Sequence, residues 1–77
     1  PVMVELAYAY KMSGRADPAR QLLQTVIQAN PDNEVAHYYL GQIFVAAGNR
    51  SGAMAEYREL QRLKSQYAQR LLDMINR

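Results

Sequence analysis

The chain has 77 residues, 49% of them hydrophobic, with nine Lys and Arg against seven Asp and Glu for a net charge of +2, and it has no cysteine. A chain this short allows one small domain or a piece of a larger one and excludes a two-domain enzyme; without cysteine it also excludes disulfides, thiolate metal sites and thiol nucleophiles, so apolar packing must hold the fold. The charge balance is not that of a polyanion binder, and no nucleic-acid partner is expected.

Pro1-Val2-Met3-Val4 lacks the basic start and the apolar run of a signal peptide and reads as a cut, with further sequence expected before Pro1. A first predicted helix follows, with Leu6 and Tyr10 on its apolar face. It should stop at Gly14, because glycine takes the left-handed conformation past a helix end without strain. Asp17 and Pro18 predict the next start, as N-cap and first helical residue. Ala19, Leu22, Leu23, Val26 and Ile27 then recur at i, i+3, i+4 spacing with Gln21, Gln24 and Gln28 between them, the pattern of an amphipathic helix.

Asn30-Pro31-Asp32-Asn33 closes this unit, since proline biases its predecessor away from the α region, and Asp32 is placed to cap a third helix starting near Asn33. That helix carries Leu40 and Phe44 and should stop at Gly48, with Ser51 as the cap of a fourth. Uncharged stretches such as Tyr38 to Asn49 contain Gly and polar groups and are too short to span a bilayer, so no membrane partner is expected. After Lys64, the residues Tyr67, Ala68, Leu71, Leu72, Met74 and Ile75 share one helical face, with Gln66, Gln69, Arg70, Asp73 and Arg77 opposite. A fifth helix capped by Ser65 is the preferred reading, and one long helix from Gly52 to Asn76 the alternative.

Sliding the sequence against itself by 34 residues brings Leu6 onto Leu40, Ala7 onto Gly41, Tyr10 onto Phe44, Gly14 onto Gly48, Ala19 onto Ala53, Leu23 onto Tyr57 and Val26 onto Leu60. A fixed period of this length marks a stacked helical array. The expected class is all-α: two helix-turn-helix units and a last helix whose polar face lets the stack end in water. Tyr10, Leu23, Leu40, Phe44, Tyr57 and Leu60 are core by periodicity.

The run of Leu, a small residue and an aromatic, then Gly, then Ala and a large residue, with a closing Pro, resembles the tetratricopeptide repeat. In the first unit the matching residues are Leu6, Ala7, Tyr10, Gly14, Ala19, Leu23, Val26 and Pro31; in the second they are Leu40, Gly41, Phe44, Gly48, Ala53, Tyr57 and Leu60. Met3 and His37 stand where the family often has Trp, and Ser65 replaces the closing Pro. The resemblance implies a right-handed α-superhelix, with residues 1–32 as a first repeat truncated at its start, 33–65 as a second and 66–77 as a capping helix.

It also implies an interaction scaffold that holds a peptide or partner helix on the concave surface formed by the first helices of successive repeats. Carried over residue by residue, that surface consists of Val4, Tyr8, Lys11 and Met12 in the first unit and Val35, Tyr38, Gln42, Val45 and Ala46 in the second. Val4 and Tyr38 occupy the places where some members put a cation to clamp a C-terminal carboxylate, and Tyr8 and Gln42 those of an Asn, so that clamp is not expected. Lys11 alone could meet an acidic group. The alternative function is structural: self-association of a larger array through an apolar edge at Val2, Met3 and Ala9.

No catalytic residue, metal or cofactor is expected. His37 is the lone histidine and reads as a packing or surface residue, since a metal would need carboxylates such as Glu34 to do most of the binding. Ser13, Thr25, Ser51 and Ser65 sit at turns or helix surfaces with no base beside them, and Gly14, Gly41, Gly48 and Gly52 have the spacing of no phosphate-binding loop. Arg58 and Arg62 read as a solvated face moderated by Glu59–Arg62 and Asp73–Arg77 pairs.

Overall fold

The architecture follows from three helix ends that use one device. A computed structural model of the chain describes residues 2–77, with side chains described from Val4 onward, so Val2 and Met3 as edge candidates lie outside the described side chains. Among the described residues it contains five helices: α1 (Val2–Met12), α2 (Ala16–Ala29), α3 (Glu34–Ala46), α4 (Arg50–Arg62) and α5 (Tyr67–Ile75). At the end of α1 the Gly14 N–H donates to the Lys11 carbonyl (3.2 Å) and the Arg15 N–H to that of Tyr10 (2.7 Å). At the end of α3, Gly48 and Asn49 repeat the pair on Val45 and Phe44 (3.1 and 2.8 Å). Both are Schellman closures that need a left-handed residue, and Gly14 (φ 82°) and Gly48 (φ 76°) supply it.

The third closure explains why the chain does not run as one helix from Gly52 to Asn76. At the end of α4, Lys64 and Ser65 donate to Gln61 and Leu60 (3.0 and 2.9 Å), with Lys64 itself left-handed at φ 55°. A side chain there costs free energy that glycine avoids. Lys64→Gly is therefore expected to raise stability by about 1 kcal/mol, read as a higher urea midpoint. The cap of α5 is Gln66, with no side-chain bond, and not Ser65 as expected; the Ser65 hydroxyl, buried one residue earlier, accepts from the Tyr67 N–H at 3.1 Å and closes the turn into the helix.

The other starts differ from the sequence reading by one or two residues. Asp17 and Pro18 lie inside the first turn of α2, whose cap is Arg15 with no side-chain bond. Proline is tolerated there because the first turn leaves its N–H groups unpaired anyway. Asn33 caps α3, accepting from the Ala36 N–H at 3.0 Å, whereas Asp32 accepts from Arg62 at 3.1 Å. Asn49 caps α4, accepting from the Gly52 N–H at 2.9 Å, and Ser51 is helical. At α3 and α4 a residue one after or two before the expected one, Asn33 and Asn49 respectively, holds the non-helical backbone that aims a short side chain at the helix.

α1 packs on α2, α2 on α3, α3 on α4, and α5 against both α3 and α4, giving a body of 25 × 25 × 17 Å. Ala7, Ala19, Leu23, Ala36, Leu40 and Ile43 form the buried cluster, with Tyr10, Val26, Ile27 and Phe44 partly buried against it. Leu60 and Leu71 are buried completely further along the stack. The alanines let the helices approach, and the leucines fill the space between them. Tyr10, Phe44 and Tyr57, expected in the core, are only partly covered. Leu6, on the outer side of α1, is 43% exposed.

His37 is the one buried ionisable group among the described residues. It is 3% exposed, with Nδ1 donating to Glu56 Oε1 and Nε2 to the Pro31 carbonyl, each at 2.6 Å. One imidazole thus ties the turn between α2 and α3 to α4. The Glu59–Arg62 pair forms at 3.1 Å, but Asp73 accepts from Gln69 at 3.0 Å instead of pairing with Arg77.

Candidate functional site

α1, α3 and α5 line one side of the molecule, and their tyrosines form a row. Tyr8 on α1 lies 5.2 Å from Tyr39 between ring centroids, Tyr39 lies 6.0 Å from Tyr38, and Tyr38 stacks on Tyr67 of α5 at 4.8 Å with only 19° between the planes. The doublet Tyr38-Tyr39 makes the row continuous. Adjacent helical residues point about 100° apart, so one ring turns toward α1 and the other toward α5. A cation sits over each terminal ring, Lys11 Nζ at 5.8 Å from Tyr8 and Arg70 Cζ at 5.8 Å from Tyr67. Such contacts contribute about 0.5–1 kcal/mol at exposed sites and hold both charges beside the aromatic surface.

Between α1 and α3 the row opens into a cleft of about 340 Å³ lined by Val4, Glu5 and Tyr8 on one side and Asn33, Val35 and Tyr39 on the other. Val4 and Val35 make it apolar at depth, with Val4 only 7% exposed, while Tyr8 is 42% exposed. Burial, reinforced by Tyr8, Tyr67 and Tyr38, raises the Tyr39 phenol above its usual range, so it stays protonated and available as a donor. Asn33, which lines the cleft, commits its Oδ1 to the Ala36 N–H, so its amide NH₂ is the group it can offer a ligand.

Of the residues read from the sequence, Val4, Tyr8 and Val35 come together in this cleft, and Lys11 sits at its edge over Tyr8. Tyr38 is half-buried against Tyr67, its hydroxyl 3.9 Å from Met74 Sδ, and belongs to the α3–α5 contact as much as to the groove. Gln42 lies one turn beyond Tyr38 on the same face and is half-buried. Val45 lines a separate hollow with Arg50, Met74 and Ile75. Met12 (64% exposed) and Ala46 stand free at the ends of their helices. Glu5, Asn33, Tyr39, Tyr67 and Arg70 were not in the sequence-derived set.

The arrangement can hold apolar and aromatic groups and offer hydrogen bonds at their edge. Among the described residues no group of three His, Cys, Asp or Glu is placed to hold a metal ion, and no helix is long and apolar enough to cross a membrane. A tetratricopeptide repeat family model matches residues 12–75, well over half of the chain. No curated protein and no solved structure gives a match.

Proposed function

The chain belongs to the tetratricopeptide repeat family, and from that premise we propose that it is a cofactor-free binding module whose tyrosine-lined face holds a peptide or partner helix. Repeats of this family mediate protein–protein interaction and are generally not enzymes. In this reading residues 1–32 and 33–65 act as the two repeats and 66–77 as the cap. The observation that carries it is the open cleft at the exposed end of the tyrosine row. A large amphipathic ring with few rotors gives contact area at low entropic cost, and an exposed apolar hollow of this kind suits a binding hot spot.

Tyr8 is the residue to test, because removing Tyr38 would also disturb α5. Selection from a randomised peptide library is expected to yield binders whose affinity falls about tenfold or more on Tyr8→Ala, with the variant still unfolding cooperatively. Undiminished affinity in that variant would remove the groove.

A second reading, self-association as part of a larger array, rests on the repeat itself. Leu6, Tyr10 and Leu22 line an open hollow on the outer face of α1 and α2. The residues 34 positions later, Leu40, Phe44 and Glu56, line one flanked by Gln24, Ile27 and Gln28 of α2. The first hollow thus has the form of a seat for the second helix of another unit. Concentration-dependent sedimentation weakened by Leu6→Asp would select this reading; Ala9 is exposed nearby, while the side chains of Val2 and Met3 are not described.

A further inference from the structure

The cleft between α1 and α3 has a carboxylate in its lining, the exposed Glu5, and a cation next to one of its walls, Lys11 with its ammonium over the Tyr8 ring. The two are six residues apart on α1, about 9 Å along the helix axis and about 120° around it, with Tyr8 midway between them. An extended chain rises about 3.3 Å per residue, so a segment reaching from one to the other needs at least about three residues. Beside Glu5 and Tyr8 lie the Val4 and Val35 floor and the Tyr39 wall, with room for one aliphatic side chain, and Asn33 lines the same cleft with its Oδ1 already bonded.

Resting on the peptide-binding reading above, we propose that this cleft selects an extended segment of a protein partner by charge order. The segment carries an aliphatic residue that fills the cleft, a Lys or Arg immediately beside it over Glu5, and an Asp or Glu about three residues from that cation at Lys11. Charge complementarity decides against the other occupants of an apolar hollow. A uniformly acidic tail meets Glu5, a uniformly basic one meets Lys11, and a nucleic-acid strand brings phosphates to Glu5 with only one cation in return. The apolar floor supplies affinity, and the two charges supply register and direction of preference.

The test is fluorescence anisotropy with labelled peptides containing Lys-Leu-Ala-Glu, the same order reversed in chain direction, and the charge-swapped Glu-Leu-Ala-Lys. The wild-type chain is expected to favour one of the first two over the swapped peptide by about fivefold, the scale of two exposed charge pairs. The double variant E5K/K11E should invert that preference. Equal affinity for all three peptides, still lost on Tyr8→Ala, overturns the charge order and leaves the peptide groove standing. Absence of binding to any of them, with tight binding of a single-stranded oligonucleotide instead, overturns both.

Discussion

Leu71→Ala is expected to lower the stability of the fold by about 3 kcal/mol, within the ~2–5 kcal/mol that a leucine-to-alanine change costs in a packed interior. Leu71 is completely buried, and it is the residue by which α5 is seated. Its partner is an absence: at Gly41 a Cβ would fall 2.5 Å from Leu71 Cδ2, so the bare backbone of α3 forms the hollow that the leucine fills. Alanine would leave that hollow partly empty, and α5 makes its remaining contacts mainly through half-buried groups such as Tyr67, Leu72 and Met74. A 77-residue chain has roughly 4–12 kcal/mol of stability in total, so the loss is a large share of it. Urea unfolding checks this, and a midpoint equal to that of the wild type would show that α5 is not part of the cooperative unit. With α5 loosened, Tyr67 leaves Tyr38 and the far end of the tyrosine row disperses, so the same variant links core packing to groove shape.

The second large effect concerns His37, and here pH is the probe. Both ring nitrogens face acceptors, Glu56 Oε1 and the Pro31 carbonyl, so the arrangement is complete only when the imidazole carries two protons. The hydrogen bond to Glu56 is the main cause that raises the His37 pKa above its ordinary 6.5, the Pro31 carbonyl adds to it, and burial opposes both. The folded-state value therefore lies above the unfolded one. The stabilisation is fully present below pH 6.5 and is lost as pH rises through the folded-state value, where the unfolded chain no longer binds the proton that the folded chain gives up. Denaturation measured from about pH 5.5 to 8.5 should show stability falling across that window, and His37→Gln should flatten the profile. Glu56→Ala is expected to cost about 3 kcal/mol near neutral pH, the lower end of the range for breaking a buried pair, because Glu56 keeps some contact with water. A profile that stays flat in the wild-type chain would mean that the imidazolium is not the folded form.

The helices themselves were readable because their signal is local. The i, i+3, i+4 spacing from Ala19 to Ile27, the glycines at 14 and 48 and the 34-residue period depend only on residues near each other along the chain or on self-comparison. Cap assignments at Asp17, Asp32, Ser51 and Ser65 missed by a residue or two, since several polar side chains adjoin each helix start and the backbone angle, not composition, picks among them. The stop at Lys64 had no glycine to announce it.

The groove was half legible. Val4, Tyr8 and Val35 followed from position within the repeat, whereas Tyr39 could have been inferred only from the Tyr38-Tyr39 doublet, whose rings must diverge toward two neighbouring helices. Tyr67 was legible as part of the apolar face of the last helix, but its stacking on Tyr38, the place of Arg70 over it, and the pairing of His37 with Glu56 nineteen residues away had no local signal.

By itself the sequence determined an all-helical repeat, its period, its turns and the apolar faces that must meet, because helix formation and burial respond to patterns within one or two turns. Only the tertiary structure decided which tyrosines join into a row, where Glu5 and Lys11 stand relative to the cleft, and that His37 is held as a buried donor to two acceptors. Those features depend on how far one helix is rotated and shifted against the next, a quantity set by the packing of whole faces, such as Leu71 over Gly41, and by no single stretch of residues.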